Sequence, residues 1–283
     1  INAFELDAAI LFSDILTIPD SFGLGVEFIE KEGPVFKNPI SNSLDIKNLN
    51  LFDLESLDYV YKAVSNIKNS LPKDIPLIGF CGSPWTLAAY SIEGRSSKDF
   101  QKTLSFLESN QKDVHDLLEK YTDACFLYLR KQVQSGADVI QIFDSWANLL
   151  TKEALVEFSF NYINSLITAL KLDPVTKSIP VIIFARNPKC NIEELINTSA
   201  DCISLFWSMN NLNFEIAKNK VAIQGNLDPK ILLESDKIIK SETYKILDKF
   251  KEYPGYIFNL GHGITPNISP DKIKYLTNIV RDY

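Results

Sequence analysis

The sequence has few of the residues that build metal centres or disulfide frameworks. Only four cysteines, at positions 81, 125, 190 and 202, occur among its 283 residues, and they form neither a Cys-x-x-Cys pair nor a Cys/His cluster. This scatter argues against a zinc site and against structural disulfides, and it is typical of proteins from a reducing compartment. We therefore expect a cytoplasmic protein.

The sequence also lacks long apolar runs and an excess of basic residues. No run reaches the roughly 18–20 apolar residues that a membrane span requires, and no signal peptide is visible. The net charge is −7, and only four arginines occur, at positions 95, 130, 186 and 281. Because binding to nucleic acid requires a basic surface, we expect neither a nucleic-acid partner nor a membrane partner.

What the sequence does contain is an alternation of short apolar runs with helical patterns. Runs typical of buried strands occupy residues 6–14, 75–82, 137–143, 180–185, 202–206, 221–224 and 256–260. Helical patterns lie between them, at residues 54–71, 84–94, 97–134 (as two helices), 152–170, 192–198, 235–250 and 271–280. There is no series of hairpin signals, and the polar segment 33–50 is expected at the surface. This alternation predicts a parallel sheet with helical crossovers.

The number of apolar runs favours a barrel. Seven strands in a chain of 283 residues approach the strand number and usual length of a (β/α)8 barrel. We predict one α/β domain spanning residues 1–283, a (β/α)8 TIM-type barrel whose first strand lies upstream of Ile1 and is missing from this chain. A doubly wound open sheet is the alternative, but the G-x-G-x-x-G loop that usually follows its first strand is absent.

The first apolar run ends abruptly on a carboxylate, Asp14. In an α/β barrel the carboxyl ends of the strands converge on one mouth, where ligands bind. Asp14 is therefore a candidate site residue, although an aspartate here can also cap a turn or the next helix. The other strand ends bring the following residues to the same mouth: Phe80, Ser83, Asp144, Ser145, Arg186, Trp207, Gln224, Asn226 and His262.

This mouth lacks the signatures of several familiar chemistries. The sequence has no H-E-x-x-H motif, no Cys/His metal set and no strand-end lysine in a form suited to a Schiff base. His262 is the single histidine at a strand end, and the glycines on either side of it leave its ring open to a ligand.

Five motifs, in order along the whole chain, carry a resemblance to a known family. They are LDAAILFSDIL (6–16), GSPWTL (82–87), FDSW (143–146), QGNLDP (224–229) and FNLGHGI (258–264), and together they resemble uroporphyrinogen decarboxylases. The resemblance implies a (β/α)8 barrel, usually a homodimer, that acts in haem biosynthesis. It also implies an enzyme that removes carbon dioxide from the four acetate side chains of uroporphyrinogen, giving coproporphyrinogen, without metal or organic cofactor.

The same resemblance assigns roles to individual residues. Asp14 matches the family's essential aspartate, which hydrogen-bonds the pyrrole N–H groups of the substrate, and Tyr90 matches the active-site tyrosine. Four further residues match the substrate-binding site: Ser145 and His262, which contact substrate carboxylates, and Phe80 and Phe143, which line the cleft. The family's Arg-Gln-Ala-Gly-Arg-Tyr motif, whose arginines bind the substrate's acid groups, is absent from this chain.

Two other functions remain open from the sequence. Corrinoid-dependent methyltransferases of the same superfamily bind zinc through histidine and cysteine ligands, but this chain has only His115 and His262 and no H-x-C motif. A barrel that binds a porphyrinogen without turnover is the second alternative, and the presence of both Asp14 and Tyr90 weighs against it. We expect a cofactor-independent decarboxylase with uroporphyrinogen as its small-molecule substrate.

Overall fold

A parallel seven-stranded sheet forms the centre of the protein in the computed structural model, which describes residues 1, 3–30 and 33–283. Its strands follow one another in chain order around the sheet, and every pairing between them is parallel. They are β1 (Ala9–Ile10), β4 (Leu77–Gly82), β5 (Val139–Asp144), β6 (Val181–Ala185), β7 (Cys202–Ser204), β8 (Ala222–Gln224) and β9 (Tyr256–Ile257). This curled, mostly parallel sheet with helical connections confirms the predicted α/β barrel class.

The sheet is open along one side. β1 pairs with β4 through the neighbours Ala9–Leu77 and Ile10–Ile78. Among the described residues no strand joins β1 to β9, so the sheet is open between these two strands. The strand predicted over residues 6–14 is too long, since only Ala9 and Ile10 form a strand there and pair with β4.

The α-helices lie between successive strands and cover the outside of the sheet. They are α1 (Thr17–Pro19), α2 (Ser43–Lys47), α3 (Asp58–Ser70), α4 (Pro84–Glu93), α5 (Gln101–Ser109), α6 (Gln111–Gln134), α7 (Lys152–Leu155), α8 (Asn161–Leu172), α9 (Ile192–Ile196), α10 (Asp236–Phe250) and α11 (Pro270–Asp282). A π-helical turn over Val156–Phe160 joins α7 and α8, so the helix predicted over 152–170 is present with a bulge near its start. None of these helices is long and apolar enough to cross a membrane in the part of the chain that the structure describes.

Local signals set the ends of α4, the helix that carries Tyr90. The Ser83 hydroxyl accepts a hydrogen bond from the Thr86 backbone N–H at 3.0 Å, and Pro84 occupies the first helical position. Gly94 ends the helix in the left-handed conformation, with φ of +82°. The residues of this helix are almost all buried, which fixes it firmly between the sheet and α6.

A β-hairpin interrupts the predicted alternation of strand and helix. Strands β2 (Val26–Ile29) and β3 (Gly33–Phe36) pair in antiparallel fashion, and the sequence pattern did not predict this single hairpin. The segment 33–50 was expected at the surface, but Phe36 and Ile40 are buried. Their backbone N–H groups donate to carbonyls at the C-terminal end of α4, so contacts between distant segments hold this region in place.

One helical side chain takes the place of a strand partner beside β4. β1 ends at Ile10, and the Phe80 backbone is instead paired by the buried Gln132 of α6. The Phe80 N–H donates to Gln132 Oε1 at 3.0 Å, and Gln132 Nε2 donates to the Phe80 carbonyl at 2.9 Å. Gly79 makes this approach possible, because a Cβ atom there would lie 2.5 Å from Gln132 Oε1. The position of Phe80 is thus fixed by α6.

Candidate active site

An arc of aromatic rings crosses the carboxyl ends of neighbouring strands. The rings of Phe80 on β4 and Phe143 on β5 meet edge to face, with centroids 5.6 Å apart, and Phe143 lies 6.0 Å from Phe184 on β6. The arc continues to Phe206, just after β7, and the His262 imidazole lies 6.0 Å from that ring. Ring faces and edges on this scale form a wall suited to a flat, largely apolar ligand body.

A cavity of about 500 Å³ lies against this wall. Three of the residues predicted for the site, Phe143, Ser145 and His262, line it together. Polar side chains from the barrel interior line it as well, namely Gln141, Ser204 and Gln224. Gln224 Nε2 donates to Ser204 Oγ at 3.0 Å, so part of this polar surface is already hydrogen-bonded within the protein. The cavity thus combines an apolar wall with separated hydrogen-bonding groups.

The two glycines beside His262 have different roles. A Cβ atom on Gly261 would lie 2.3 Å from the backbone nitrogen of Trp207, so only glycine permits this close approach of two backbone segments. A Cβ atom on Gly263 would meet no atom within 4 Å. The exposed position of His262 therefore depends on the contact that Gly261 makes with the segment that follows β7.

Asp14 lies in a second cavity, of about 420 Å³. Its Oδ1 atom accepts a hydrogen bond of 2.7 Å from the Leu16 N–H, and its Oδ2 atom accepts none from the described residues. Burial raises the pKa of the Asp14 carboxyl above its ordinary value, while the Leu16 hydrogen bond opposes that shift. Sequence reasoning missed Phe28 and Tyr59, which line the same cavity; Phe28 lies on the hairpin that the sequence did not predict.

Tyr90 lies in an aromatic cluster near Asp14. Its ring is 5.6 Å from that of Phe100 and 5.7 Å from that of Trp146, both edge to face. Burial raises the pKa of the Tyr90 phenol, and hydrogen bonds with the side chains of Trp146 and Ser96 oppose that shift. The Asp14 carboxylate raises the pKa further, whereas the Arg186 charge lowers it. Tyr90 therefore lies within electrostatic reach of both the Asp14 carboxylate and the Arg186 guanidinium.

Asp144 was expected at the mouth, and this is wrong. Its carboxylate is fully buried and accepts hydrogen bonds from three hydroxyls: Ser83 at 3.1 Å, Thr86 at 3.0 Å and Ser159 at 2.5 Å. Burial raises its pKa and the three donors oppose that shift. Because Ser83 and Thr86 begin α4 and Ser145 follows directly, Asp144 ties the helix that carries Tyr90 to the strand end that carries Ser145.

Asn226 is likewise a structural residue at its strand end. Only 2% of it is exposed, and its Nδ2 atom donates to the Phe206 carbonyl at 3.1 Å and to Asn210 Oδ1 at 3.2 Å. Ser83 is fully buried beneath the start of α4. A position at a strand end therefore does not by itself show whether a polar side chain faces the cavity or forms hydrogen bonds that stabilise the loops.

The structure brings the six predicted site residues into two groups. Phe143, Ser145 and His262 share the larger cavity, and Phe80 joins them through its ring contact with Phe143. Asp14 lines the second cavity, and Tyr90 belongs with it through their charge interaction. In the described part of the chain no group of three or more His, Cys, Asp or Glu side chains is placed to hold a metal ion.

The chain is similar to known proteins along its whole length. The chain matches the family model described as "Uroporphyrinogen decarboxylase (URO-D)" over residues 1–283. It is 44% identical over 285 residues to the uroporphyrinogen decarboxylase of Vesicomyosocius okutanii subsp. Calyptogena okutanii, covering 100% of this chain and 81% of that protein. It is 43% identical to the uroporphyrinogen decarboxylase of Alcanivorax borkumensis, covering 99% of this chain and 80% of that protein.

Among solved structures, the chain resembles a methyltransferase from Methanosarcina mazei, with a TM-score of 0.80 and 16% identity over 99% of this chain and 82% of that one. It also resembles a B12-independent methionine synthase from Shewanella sp. W3-18-1, with a TM-score of 0.60 and 13% identity over 99% of this chain and 84% of that one. At these identities the likeness concerns the fold alone.

Proposed function

The chain belongs to the uroporphyrinogen decarboxylase family, and on that premise we propose that Asp14 and Tyr90 serve decarboxylation of a porphyrinogen bound against the aromatic arc. The protein is a carboxy-lyase of porphyrin biosynthesis, as the motifs predicted. We propose that it converts uroporphyrinogen III to coproporphyrinogen III by removing four acetate carboxylates as carbon dioxide.

The reaction requires an acceptor for the electrons that carbon dioxide leaves behind. A pyrrole acetate has none until a ring carbon is protonated, which makes a cationic ring that takes up the electron pair of the breaking C–C bond. Loss of carbon dioxide then leaves a neutral ring that carries an exocyclic methylene. Protonation of that methylene gives the methyl group, and release of the proton first added to the ring carbon restores the pyrrole. Since the protonated pyrrole acts as the electron sink, we propose that the reaction needs neither a metal nor an organic cofactor.

Asp14 is suited to stabilise that cation. A carboxylate only accepts hydrogen bonds and pyrrole N–H groups only donate them, so Asp14 can hold the centre of the macrocycle. Its partial burial strengthens the interaction with a developing positive charge. The observation that supports this role best is the Oδ2 atom, which accepts no hydrogen bond from the described residues while Oδ1 is held by Leu16.

The larger cavity offers matching contacts for the rest of the substrate. Phe80 and Phe143 provide apolar surface for the macrocycle, and Ser145 and His262 provide donors for its carboxylates. We propose that Tyr90, a half-buried phenol whose raised pKa keeps it protonated, donates a hydrogen bond at the reacting pyrrole. In this proposal donors lie at the rim of the bound substrate and Asp14 is the acceptor at its centre.

The direct test is the conversion of uroporphyrinogen by the purified protein under reducing, oxygen-free conditions. Oxidation of the products to porphyrins and their chromatographic separation resolves species with eight to four carboxylates. We expect the four-carboxylate product to accumulate without added metal, and chelator to leave the rate unchanged. Absence of both turnover and binding of a porphyrin carboxylate would contradict the proposal, and a rate that depends on zinc or a methyl donor would favour the methyltransferase alternative.

We also propose that the protein works in the cytoplasm as a homodimer of single-domain subunits. All four cysteines are free thiols, as a reducing compartment favours. Phe12 and Leu51 are 99% and 93% exposed, which is unusual for large apolar side chains and supports contact with a second copy. Sedimentation equilibrium measures the mass directly, and a monomer at micromolar concentration would contradict the dimer.

A further inference from the structure

Arg186 is held in a defined position at the carboxyl end of β6. It follows Ala185, the last residue of that strand, and its backbone N–H donates to the Asp144 carbonyl at 2.9 Å. Its guanidinium carbon lies 5.6 Å from the centroid of the Trp146 ring. A guanidinium over an indole face is restrained in direction without losing its hydrogen-bond donors, because the attraction acts through the ring.

The other arginines of the chain are engaged elsewhere. Arg130 forms an ion pair with Asp173 at 3.0 Å, and Arg281 forms one with Glu5 at 2.8 Å. Arg95 has an interaction partner too. In the part of the chain that the structure describes, no carboxylate pairs with Arg186 and no group accepts a hydrogen bond from its side chain. Arg186 therefore has five donors available at a strand end.

The Trp146 ring that supports Arg186 is itself held in place. Its buried indole N–H is directed to the Tyr90 phenol, whose pKa this contact lowers. Trp146 packs against Tyr90 and, at 4.2 Å between ring centroids, against Phe100, so the indole cannot turn away easily. The indole is therefore a rigid support, and the guanidinium on it presents the donors that an anionic ligand would meet.

We propose that Arg186, supported on the Trp146 ring, forms a carboxylate subsite that binds one acid side chain of the porphyrinogen. This inference rests on the proposed function. Arginine binds a carboxylate through two parallel hydrogen bonds, which lysine cannot reproduce, and such a contact orients the group as well as attracting it. Since Tyr90 packs on the same indole, the subsite fixes one edge of the macrocycle relative to the phenol and, through it, to Asp14.

The test compares Arg186→Met and Arg186→Lys with the unchanged protein. Methionine keeps apolar contact with the indole and removes the charge, whereas lysine keeps the charge and removes the paired geometry. We expect KM for uroporphyrinogen to rise about 10- to 100-fold in Arg186→Met, with a smaller change in kcat, and we expect partial rescue in Arg186→Lys. Arg130→Met is the matched control, because it removes an arginine charge far from the strand ends, and its KM should stay within twofold.

Binding of two stable porphyrins identifies which acid the subsite takes. Uroporphyrin carries acetate and propionate groups, whereas coproporphyrin carries propionates alone. A loss of affinity in Arg186→Met for both ligands assigns a propionate to the subsite, and a loss for uroporphyrin only assigns an acetate. An Arg186→Met protein with KM and both affinities within twofold of the unchanged protein would overturn the inference. Failure of the unchanged protein to bind or convert any porphyrin would instead refute the proposed function.

Discussion

Replacing Asp14 separates a catalytic carboxylate from one that only caps a turn. Asp14 Oδ1 accepts the Leu16 N–H at 2.7 Å, which is a turn contact that an asparagine carbonyl can also make. Asp14→Asn should therefore keep the fold and lose the charge. By analogy with loss of one transition-state hydrogen-bonding group, the change should cost about 3–4 kcal/mol of transition-state stabilisation, or roughly 10²–10³ in kcat.

The stability of two further variants completes the comparison. Asp14→Ala removes the turn contact as well and should lower the free energy of unfolding by about 0.5–1.5 kcal/mol, whereas Asp14→Asn should leave it nearly unchanged. Asp53→Asn is the matched control, since Asp53 Oδ1 makes the same kind of turn contact, with Glu55 N at 3.1 Å, on an exposed loop. Urea titrations and anaerobic decarboxylation assays measure both quantities. Near-normal turnover in Asp14→Asn would refute the catalytic role.

The pH dependence gives an independent check on Asp14. Burial raises the pKa of its carboxyl above the ordinary 3.8, and only the ionised form can stabilise a pyrrole cation. We expect kcat/KM to fall on the acid side with an apparent pKa above 3.8. A carboxyl whose pKa is raised by folding stabilises the folded state most at low pH and loses that contribution as pH rises through its folded pKa. Protonation of Asp14 should therefore stop activity without unfolding the protein, and circular dichroism should show native signal across that limb.

Three further changes test other parts of the site. Ser145→Ala and His262→Ala should slow the later acetate steps and accumulate partly decarboxylated porphyrinogens, and complete loss of the first decarboxylation in either variant would contradict their assignment to substrate binding. Gly261→Ala should lower the free energy of unfolding by about 1–3 kcal/mol and weaken substrate binding, because the new Cβ atom would meet backbone atoms. Gly263→Ala is the control and should change neither quantity, as thermal melts and binding titrations of both variants can show. Asp144→Asn should lower the free energy of unfolding by about 1–3 kcal/mol in urea titrations, since an amide cannot accept from all three hydroxyls, and an unchanged midpoint would contradict the structural role.

Features set by neighbouring residues were predictable from the sequence. The start of α4 followed from Ser83 and Pro84, and its end followed from Gly94, because capping depends on residues within one turn. The order of the parallel strands was also predictable, because each strand is a short apolar run that is visible in the local sequence. The family and its chemistry followed from five motifs that span the chain.

Features set by distant contacts were not predictable. The last residue of the hairpin, Phe36, donates its N–H to the Gly94 carbonyl at the end of α4, far along the chain, and Ile40 just after the hairpin donates to the Ser91 carbonyl of the same helix. The hairpin strands have only four residues each, which is too short to show alternation. The role of Asp144 depends on hydroxyls that lie 58 and 61 residues before it. A strand-end position predicts a polar residue near the site, but the partners of that residue decide whether it faces the ligand.

The pairing of Gln132 with the Phe80 backbone constrains how this sequence can change. A side chain at position 79 must collide with Gln132, and a shorter residue at position 132 must leave the Phe80 backbone groups without partners. A substitution at either position alone should therefore disrupt these hydrogen bonds, although the two positions lie more than fifty residues apart on different elements. Recombination between related barrels should succeed when β4 and α6 come from the same parent, and chimaeras that split them should lose the placement of Phe80 first.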